Sequence, residues 1–294
     1  MARKPVIALM GEFSAGKSTL ANLLLGEVRS PVQVTATQLP PVWYAYGSGS
    51  PFTVGLDGAK RPLDLNELDR VTVADTAFVR IPIEADILTI CEMIDMPGNS
   101  DPNMSPEVWQ RTIHFADSVI WCTHATQAWR QSEAAVWDEF PAEVHARSLL
   151  LLTRFDKILK DTDKARVINR VTKEAGDKFR AIFPVSLLTA LEAGEEDRER
   201  WEQSGAEAFT QALLDIVLEL EAEKAGLKPA PSAATHADAG KVVSLDAPQA
   251  ARPTTPEARP ASDGPVTPRR VSRPSAKPSA RPRPGRDGGA RPGA

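Results

Sequence analysis

The chain has 294 residues, of which 42% are hydrophobic and 25% are charged, and its formal net charge is −4 at pH 7. No apolar run approaches the length of a membrane span, and the apolar segment at residues 5–10 is too short for a signal peptide. The two cysteines, Cys91 and Cys122, lie in apolar runs and indicate buried thiols in a reducing compartment. We therefore expect a cytoplasmic protein, for which peripheral contact with a membrane stays open.

Composition and charge both divide the chain near residue 225. Residues 226–294 consist mainly of Pro, Ala, Arg, Ser and Gly, so they bury too little apolar surface to offset the entropy lost on ordering. Residues 251–294 carry ten Lys or Arg against three acidic residues, which leaves a net charge of −11 on residues 1–225. We expect a globular domain in residues 1–225 and a disordered basic tail in residues 226–294.

This division of charge bears on the partners that we expect. The acidic domain does not suggest a nucleic-acid surface, so we predict no specific nucleic-acid partner. The basic tail suits contact with anionic lipid, with RNA, with another protein or with the domain itself, and a purely solubilising role is the alternative.

A loop closed by two glycines follows the first predicted strand, residues 5–10, and precedes a predicted helix over residues 17–25. Its spacing, G-x-x-x-x-G-K-S, is typical of a phosphate-binding loop, in which backbone N–H groups and a helix N-terminus surround a β-phosphate. Lys17 would bridge the β- and γ-phosphates, and Ser18 would hold Mg²⁺ through its hydroxyl. The predicted nucleotide contacts in this phosphate loop are Gly11, Glu12, Phe13, Ser14, Ala15, Gly16, Lys17, Ser18 and Thr19.

A polar segment, residues 30–38, separates this helix from a predicted strand over residues 42–46. Phosphate-loop GTPases keep switch I at this place, and a switch I threonine reaches Mg²⁺ and the γ-phosphate. Thr35 is the predicted metal-binding and catalytic threonine, and Thr37 is the alternative. An ordinary loop role stays open for both.

A second motif follows the next predicted strands. Residues 47–75 predict turns with a short hairpin and a helical piece at residues 63–68, and residues 77–83 and 87–94 predict two neighbouring strands. The second strand ends in Asp-Met-Pro-Gly at residues 95–98. Asp95 would join the Mg²⁺ shell, and the N–H of Gly98 would contact the γ-phosphate. The same four residues also make an ordinary turn, but their place after an apolar strand favours the nucleotide role.

The rest of the domain alternates between helices and strands. This alternation predicts an α/β fold of three layers with a mostly parallel sheet, whose ligand lies at the carboxyl ends of the strands. The four histidines show no metal-site spacing. We predict helices over residues 105–115, 131–140, 163–177 and 206–224, and strands over residues 118–123, 148–152 and 180–185.

A base-recognition motif follows the strand at residues 148–152. Thr153-Arg154-Phe155-Asp156 matches the pattern [N/T]-K-x-D, except that Arg154 replaces the lysine. The Asp156 carboxylate would accept hydrogen bonds from guanine N1–H and the exocyclic amine, a donor pair that adenine lacks. Ser186, at the end of the last predicted strand, would support the guanine O6 through a backbone N–H.

With these motifs in place, residues 4–225 resemble the G domain of dynamin-like GTPases, especially the bacterial ones. The resemblance implies a three-layer P-loop GTPase fold, binding and hydrolysis of GTP to GDP with Mg²⁺, and a homodimer across the nucleotide face. It implies catalytic roles for Ser14, Lys17 and Thr35. Ser14 matches a serine that positions a monovalent cation, K⁺ or Na⁺, in dynamins.

The chain also departs from that family. Phe13 stands where dynamins tend to carry a polar residue near the attacking water, and Asn99 rather than glutamine follows the Asp-Met-Pro-Gly motif. Residues 226–294 have no pattern of the long stalk helices that dynamins use to polymerise, so we do not expect membrane fission.

Two further functions therefore stay open beside the GTPase. The first is a nucleotide-dependent binding module that hydrolyses almost no nucleotide and recruits a partner through its tail. The second is a phosphate-loop kinase, against which the Thr153–Asp156 motif argues.

Overall fold

The computed structural model describes residues 3–26, 39–99, 105–194 and 196–227. Thr35 and Thr37, the two threonines predicted for switch I, lie outside the described residues. So does almost all of the predicted tail.

A single sheet of nine strands forms the middle layer of the described residues, in the order β4-β3-β5-β2-β6-β1-β7-β8-β9. The strands are β1 Val6–Gly11, β2 Val42–Tyr46, β3 Phe52–Gly55, β4 Lys60–Pro62, β5 Thr76–Ile83, β6 Glu92–Asp95, β7 Ser118–His124, β8 Leu149–Thr153 and β9 Ala181–Pro184.

One half of this sheet is entirely parallel. β1 pairs with β6 on one side and β7 on the other, and β8 and β9 continue the parallel order beyond β7. Leu9 lies opposite Asp95 of β6 and Ile120 of β7, so the carboxyl ends of these strands meet at one edge. The other half is mixed, because β2 runs antiparallel to β6 and the strands β3 and β4 form a hairpin. The predicted, mostly parallel sheet is confirmed.

Helices cover both faces of the sheet. The α-helices are α1 Lys17–Leu25, α2 Ile87–Ile90, α3 Glu107–Ile113, α4 Gln131–Trp137, α5 Ala142–His145, α6 Asp161–Ala175, α7 Leu187–Ala193, α8 Arg198–Gln203 and α9 Ala206–Lys224, and 3₁₀ turns span Leu65–Arg70, Ala125–Gln127 and Phe155–Lys157. Among the helices that the structure describes, none combines the length and apolar character needed to cross a membrane.

The alternation of side chains along β1 divides the core into two parts. Ile7 and Leu9 face the layer of α1 and α9, where they share a cluster with Leu20 and Phe209. Val6, Ala8 and Met10 face the layer of α3, α4 and α6. All five β1 side chains are fully buried, as expected for a central strand of a parallel sheet. This arrangement confirms the predicted three layers.

Aromatic side chains fill much of the second core. Trp121 of β7 packs edge-to-face on Trp129 and Trp137, with ring centroids 6.2 and 5.6 Å apart. Trp137 stacks on Phe179 at 4.3 Å and on Phe140 at 5.1 Å. These rings fix α4 and the segment before it against β7.

The predicted pair of neighbouring strands before Asp95 was wrong in two respects. Residues 87–90 form the single helical turn α2, in which the Cys91 N–H donates to the carbonyl oxygen of Ile87 at 3.1 Å and Leu88 is buried. A short apolar run suits such a turn as well as a strand. In addition, β2 lies between β5 and β6 in the sheet, so these strands are not neighbours.

Both cysteines are buried and free, as the sequence predicts. Cys122 lies in β7, whereas Cys91 precedes β6 instead of lying within a strand. Burial raises the pKa of each thiol to about 12. Both are therefore protonated and poorly reactive near neutral pH.

Candidate functional site

The phosphate loop leaves β1 at Gly11 and enters α1 after Gly16. Gly11 has φ +138°, and a Cβ there would lie 2.0 Å from the carbonyl oxygen of Cys122. A larger residue would therefore displace either the loop or β7. Within the loop, the Ala15 N–H donates to the carbonyl oxygen of Glu12 at 3.2 Å. The motif spacing thus produces a tight turn at the carboxyl end of β1, whose Phe13 and Ser14 are exposed.

Lys17, the first residue of α1, folds back over this loop. Its side chain is buried, and its Nζ donates to the carbonyl oxygens of Gly11 at 2.9 Å and Glu12 at 2.8 Å. Burial lowers the pKa of Lys17, and the nearby Asp95 opposes this shift. An ammonium group therefore lies against the loop that the sequence predicts to bind phosphate. Thr19, two residues further along α1, is half-buried.

Asp95 ends β6 beside Ser18 of α1. The Ser18 hydroxyl donates to Asp95 Oδ2 at 3.4 Å. Burial raises the pKa of Asp95 to about 6, although Lys17 and Ser18 favour its ionised form. Its Oδ1 is buried and has no hydrogen-bond partner among the described residues, a property shared only by Asn99 Oδ1 in that part of the chain. A buried carboxylate oxygen without a partner is costly, so it is available to a ligand.

The turn after β6 lies directly on the phosphate loop. The Asn99 N–H donates to the carbonyl oxygen of Gly11 at 3.3 Å. A Cβ on Gly98 would lie 2.9 Å from both the Cα and the N of Phe13, so only glycine permits this approach. The side chain of Phe13 is 57% exposed at the same place. The structure thus brings the first two predicted motifs together.

The third motif is linked to the phosphate loop through a hydroxyl. Thr153, at the end of β8, is buried, and its Oγ1 lies 2.7 Å from the carbonyl oxygen of Ala15 and 3.1 Å from that of Thr123. The hydroxyl therefore joins the loop to β7 and β8. Arg154 follows with φ +54°, and its Nη2 donates to the carbonyl oxygen of Ser14 at 3.0 Å.

Asp156 and Ser186 form a polar pair at the far side of the loop. The Ser186 hydroxyl donates to Asp156 Oδ1 at 2.8 Å, and Lys157 Nζ lies 3.4 Å from Oδ2. Burial opposes ionisation of Asp156, but these donors outweigh it and lower its pKa. The Ser186 N–H donates to the carbonyl oxygen of Ser204 at 2.8 Å, so Ser186 reaches this site through its hydroxyl.

Three residues that the sequence analysis did not identify also contact the loop or its supports: Arg130, Ser132 and Glu133. Arg130 Nη1 and the Ser132 hydroxyl donate to the two carboxylate oxygens of Glu12, each at 3.0 Å. These contacts join residues about 120 positions apart, so sequence spacing carries no sign of them. A glutamate three residues after the N-cap of a helix is the one local signal, since it is typical of a capping box.

Known proteins resemble this chain in sequence and in fold. No family model matches the chain. It is 24% identical over 217 residues to the isoniazid-induced protein IniC of Mycobacterium tuberculosis, a match that covers 64% of this chain and 43% of IniC. It is 25% identical over 229 residues to dynamin-like protein 2 of Campylobacter jejuni, covering 73% of this chain and 35% of that protein.

A solved structure of an oligomerised bacterial dynamin pair has the same fold, with a TM-score of 0.59 and 18% sequence identity over 76% of this chain and 46% of the other. The chain thus spans less than half the length of the relatives that it matches. The described residues thus have the fold of a P-loop GTPase G domain and are similar to bacterial dynamin-like proteins.

Proposed function

We propose that this chain binds GTP with Mg²⁺ and hydrolyses it to GDP and phosphate. One observation carries the proposal: Lys17, Ser18 and Asp95 converge at the carboxyl ends of β1 and β6, where Asp95 presents a buried oxygen without a protein partner. This is the place where an open α/β sheet binds its ligand. The similarity to bacterial dynamin-like proteins supports the same conclusion.

The residues at this place fit a magnesium ion bound together with phosphates. Asp95 and Ser18 supply oxygen atoms, which Mg²⁺ prefers, and one carboxylate suffices when the nucleotide phosphates complete the shell. Asp95 is ionised above its pKa of about 6. When bound, the ion would neutralise charge on the β- and γ-phosphate oxygens. Thr35 remains our proposed third protein ligand, with Thr37 as the alternative.

The phosphates would lie over the loop, where the N–H groups of residues 11–19 and the ammonium of Lys17 offset their charge. Lys17 now donates to two loop carbonyl oxygens, at 2.9 and 2.8 Å, so it would exchange these for phosphate oxygens. Phosphoryl transfer needs positioning and charge stabilisation rather than a covalent intermediate. We assign this work to Lys17, to Thr35 and to Ser14, which we propose to hold a monovalent cation.

Guanine recognition is assigned to Asp156, which lies at the surface with its Oδ1 held by Ser186. Its lowered pKa keeps the carboxylate ionised, as acceptance of two donors requires. Arg154 extends from the same turn and would lie along the base. Gly98 would contact the γ-phosphate through its N–H, and Thr153 supports the loop from behind.

We propose a homodimer across the nucleotide face, by similarity to the oligomerised bacterial dynamin pair, which its investigators relate to the sensing and tethering of membranes. We further propose that the basic tail, residues 226–294, contacts a protein or an anionic membrane surface from the cytoplasm. The output would be a change of the loops around the γ-phosphate that a partner reads.

Phosphate release from GTP and from ATP, with Mg²⁺ and with K⁺ compared against Na⁺, tests this function. We expect turnover of GTP only, loss of turnover on chelation of Mg²⁺, and a specific rate that rises with protein concentration. Equal use of ATP would contradict the role of Asp156. A rate independent of protein concentration would contradict the dimer.

A binding module with negligible turnover is the second candidate, and the position of Phe13 favours it. This exposed ring lies in the loop beside Gly98, where an apolar group would hinder an attacking water. Tight binding of GTP without phosphate release would support this candidate. Phe13→Gln should then leave the affinity for GTP unchanged and start turnover.

A further inference from the structure

A buried carboxylate lies behind the phosphate loop, outside the proposed nucleotide contacts. Glu133, in the first turn of α4, is 1% exposed. Its Oε1 accepts from Trp121 Nε1, and its Oε2 accepts from Thr123 Oγ1 and from the Arg130 N–H, each at 2.9 Å. Burial raises the pKa of Glu133, and these three donors oppose that shift. Both carboxylate oxygens are thus engaged between β7 and the start of α4.

The same network fixes the backbone just before α4. Trp129 has φ +56°, a conformation that is rare for a bulky residue and persists only where its surroundings impose it. Its N–H donates to Thr123 Oγ1 at 3.0 Å, while the next N–H, that of Arg130, donates to Glu133. Two consecutive amides are therefore held by Thr123 and Glu133, and together they set the direction in which the Arg130 side chain leaves the backbone.

That direction leads to Glu12 of the phosphate loop. Arg130 Nη1 and Ser132 Oγ bind the two carboxylate oxygens of Glu12, each at 3.0 Å. The backbone carbonyl of Glu12 in turn accepts from Lys17 Nζ at 2.8 Å and from the Ala15 N–H at 3.2 Å. Fixing the Glu12 side chain therefore fixes the carbonyl around which the loop is folded.

Charge gives this contact a second role. Glu12 places a negative charge within a loop that we propose to bind phosphate, and an unpaired carboxylate there would repel the ligand. Its side chain is only 16% exposed, so solvent screens that charge weakly, and Arg130 neutralises it.

We propose that Glu133 is a positioning residue for the phosphate loop, acting through Arg130 and Glu12. It touches neither the nucleotide nor the metal ion. By fixing the Arg130 amide it keeps the guanidinium on Glu12, which holds the loop in shape and offsets its negative charge. That the loop binds a guanine nucleotide rests on the proposed function, whereas the positioning of the loop by Glu133 is a property of the ligand-free protein.

The test uses the full chain and the release of a fluorescent GDP, measured by stopped flow for the wild type, Glu133→Gln, Arg130→Ala and the double variant. The glutamine side chain of the first variant would present an amide N–H₂ to a site lined by donors. We expect each single variant to release the nucleotide about tenfold faster, the size expected for one hydrogen bond to a charged group. Because the two residues act in series, the double variant should release it no faster than Arg130→Ala.

Glu219→Gln is the matched control. It converts another carboxylate, in α9, which accepts from Arg180 Nη2 at 2.7 Å beside the amino end of β9, at the edge of the sheet opposite to the phosphate loop. It should lower the melting temperature and leave the release rate unchanged. If Glu133→Gln does not fold, Thr123→Val takes its place with the same expected result, since it removes one hydroxyl from the network. An unchanged release rate, or multiplied effects in the double variant, would overturn the proposal.

Hydrogen exchange in the nucleotide-free protein separates this proposal from the proposed function. Amides of residues 11–17 should exchange faster in Glu133→Gln and Arg130→Ala than in the wild type or Glu219→Gln. Should the wild type bind no guanine nucleotide, the proposed function fails while this exchange test still stands. Unchanged exchange would refute the positioning role even in a protein that binds GDP.

Discussion

Asp95 and Asp156 show how two carboxylates of the proposed nucleotide site take different properties from their surroundings. Burial beside β1 raises the pKa of Asp95 to about 6 and leaves its Oδ1 without a protein donor among the described residues. Asp156 lies near the surface, where Ser186 and Lys157 lower its pKa. The first arrangement suits a metal ion and the second suits neutral donors on a base. One residue type therefore has two proposed roles, which depend on burial and neighbours.

Replacing Asp156 by Asn tests base recognition. The amide would present one acceptor and one donor where guanine requires two acceptors, so we expect the affinity for GTP to fall about 100-fold. Affinity for xanthosine triphosphate should rise, because xanthine carries a carbonyl in place of the exocyclic amine. Equilibrium titration with fluorescent nucleotides measures both changes.

Asp161→Asn is the control for that measurement, since its carboxylate lies five positions further along with 88% of the side chain exposed. It should leave both affinities unchanged. Equal losses in the two variants would show that net charge, rather than hydrogen bonding to the base, determines the affinity.

The individual residues differ in how far the sequence could identify them. Lys17, Ser18 and Asp95 stand at fixed distances from glycines or strand ends, so their meeting could be predicted. Arg130 and Ser132 could not, because they meet Glu12 through the pairing of β1 with β7 and the backbone conformation of Trp129. Neither determinant leaves a local pattern. The amide of Ser186 was likewise unpredictable, since its acceptor belongs to Ser204, beyond two short helices.

At the scale of elements, the last helix shows the clearest agreement between pattern and structure. The predicted helix over residues 206–224 matches α9, and its apolar residues at helical spacing face the core. Phe209, Leu213 and Ile216 are at most 2% exposed. The pattern suffices because one face of a long helix is buried against one layer.

Leu213→Ala should therefore lower the free energy of unfolding by about 2–5 kcal/mol, since it removes buried carbons and leaves a cavity. The neighbouring Leu214 is 37% exposed on the other side of α9. Leu214→Ala should change the free energy of unfolding by less than about 1 kcal/mol. Urea denaturation of both variants provides the comparison, and similar losses would contradict the assigned orientation of α9.

The segment before Asp95 shows where a pattern is insufficient. Residues 87–94 are mostly apolar, and a short apolar run does not distinguish a strand from a helical turn. The choice depends on β2, which occupies the position beside β6 that a direct hairpin with β5 would take. An insertion of this kind is a long-range pairing, so no local propensity records it.

At the scale of the whole molecule, the two halves of the sheet differ in what they contribute to the proposed nucleotide site. The parallel half, from β6 to β9, brings the carboxyl ends of its strands to one edge. All the described residues of the proposed nucleotide site lie at that edge, in the loops that follow it or in the first turn of α1. The mixed half extends the sheet beyond β6 and contributes none of them. Parallel order alone could be predicted from the alternating elements, whereas the position of β2 could not.

Removing residues 228–294 tests whether the described part of the chain holds the whole nucleotide site. We expect the dissociation constant for GDP to change less than twofold, because every described contact of the proposed site lies before residue 228. The last helix, α9, also ends before that residue, with a hydrogen bond from the Leu227 N–H to the Ala222 carbonyl oxygen. Titration of the full and shortened chains at equal ionic strength makes the comparison. A tenfold loss would place part of the binding energy in the tail.

The two buried thiols make the protein convenient for site-specific chemistry. Cys91 and Cys122 are the only cysteines in the chain, and with a pKa of about 12 each is almost wholly protonated near neutral pH. Maleimides react with thiolates, so a cysteine introduced at an exposed position such as Leu159, 88% exposed, would be alkylated far faster than either native one. A single dye or spin label can therefore be attached to the folded protein without first removing its own sulfur atoms.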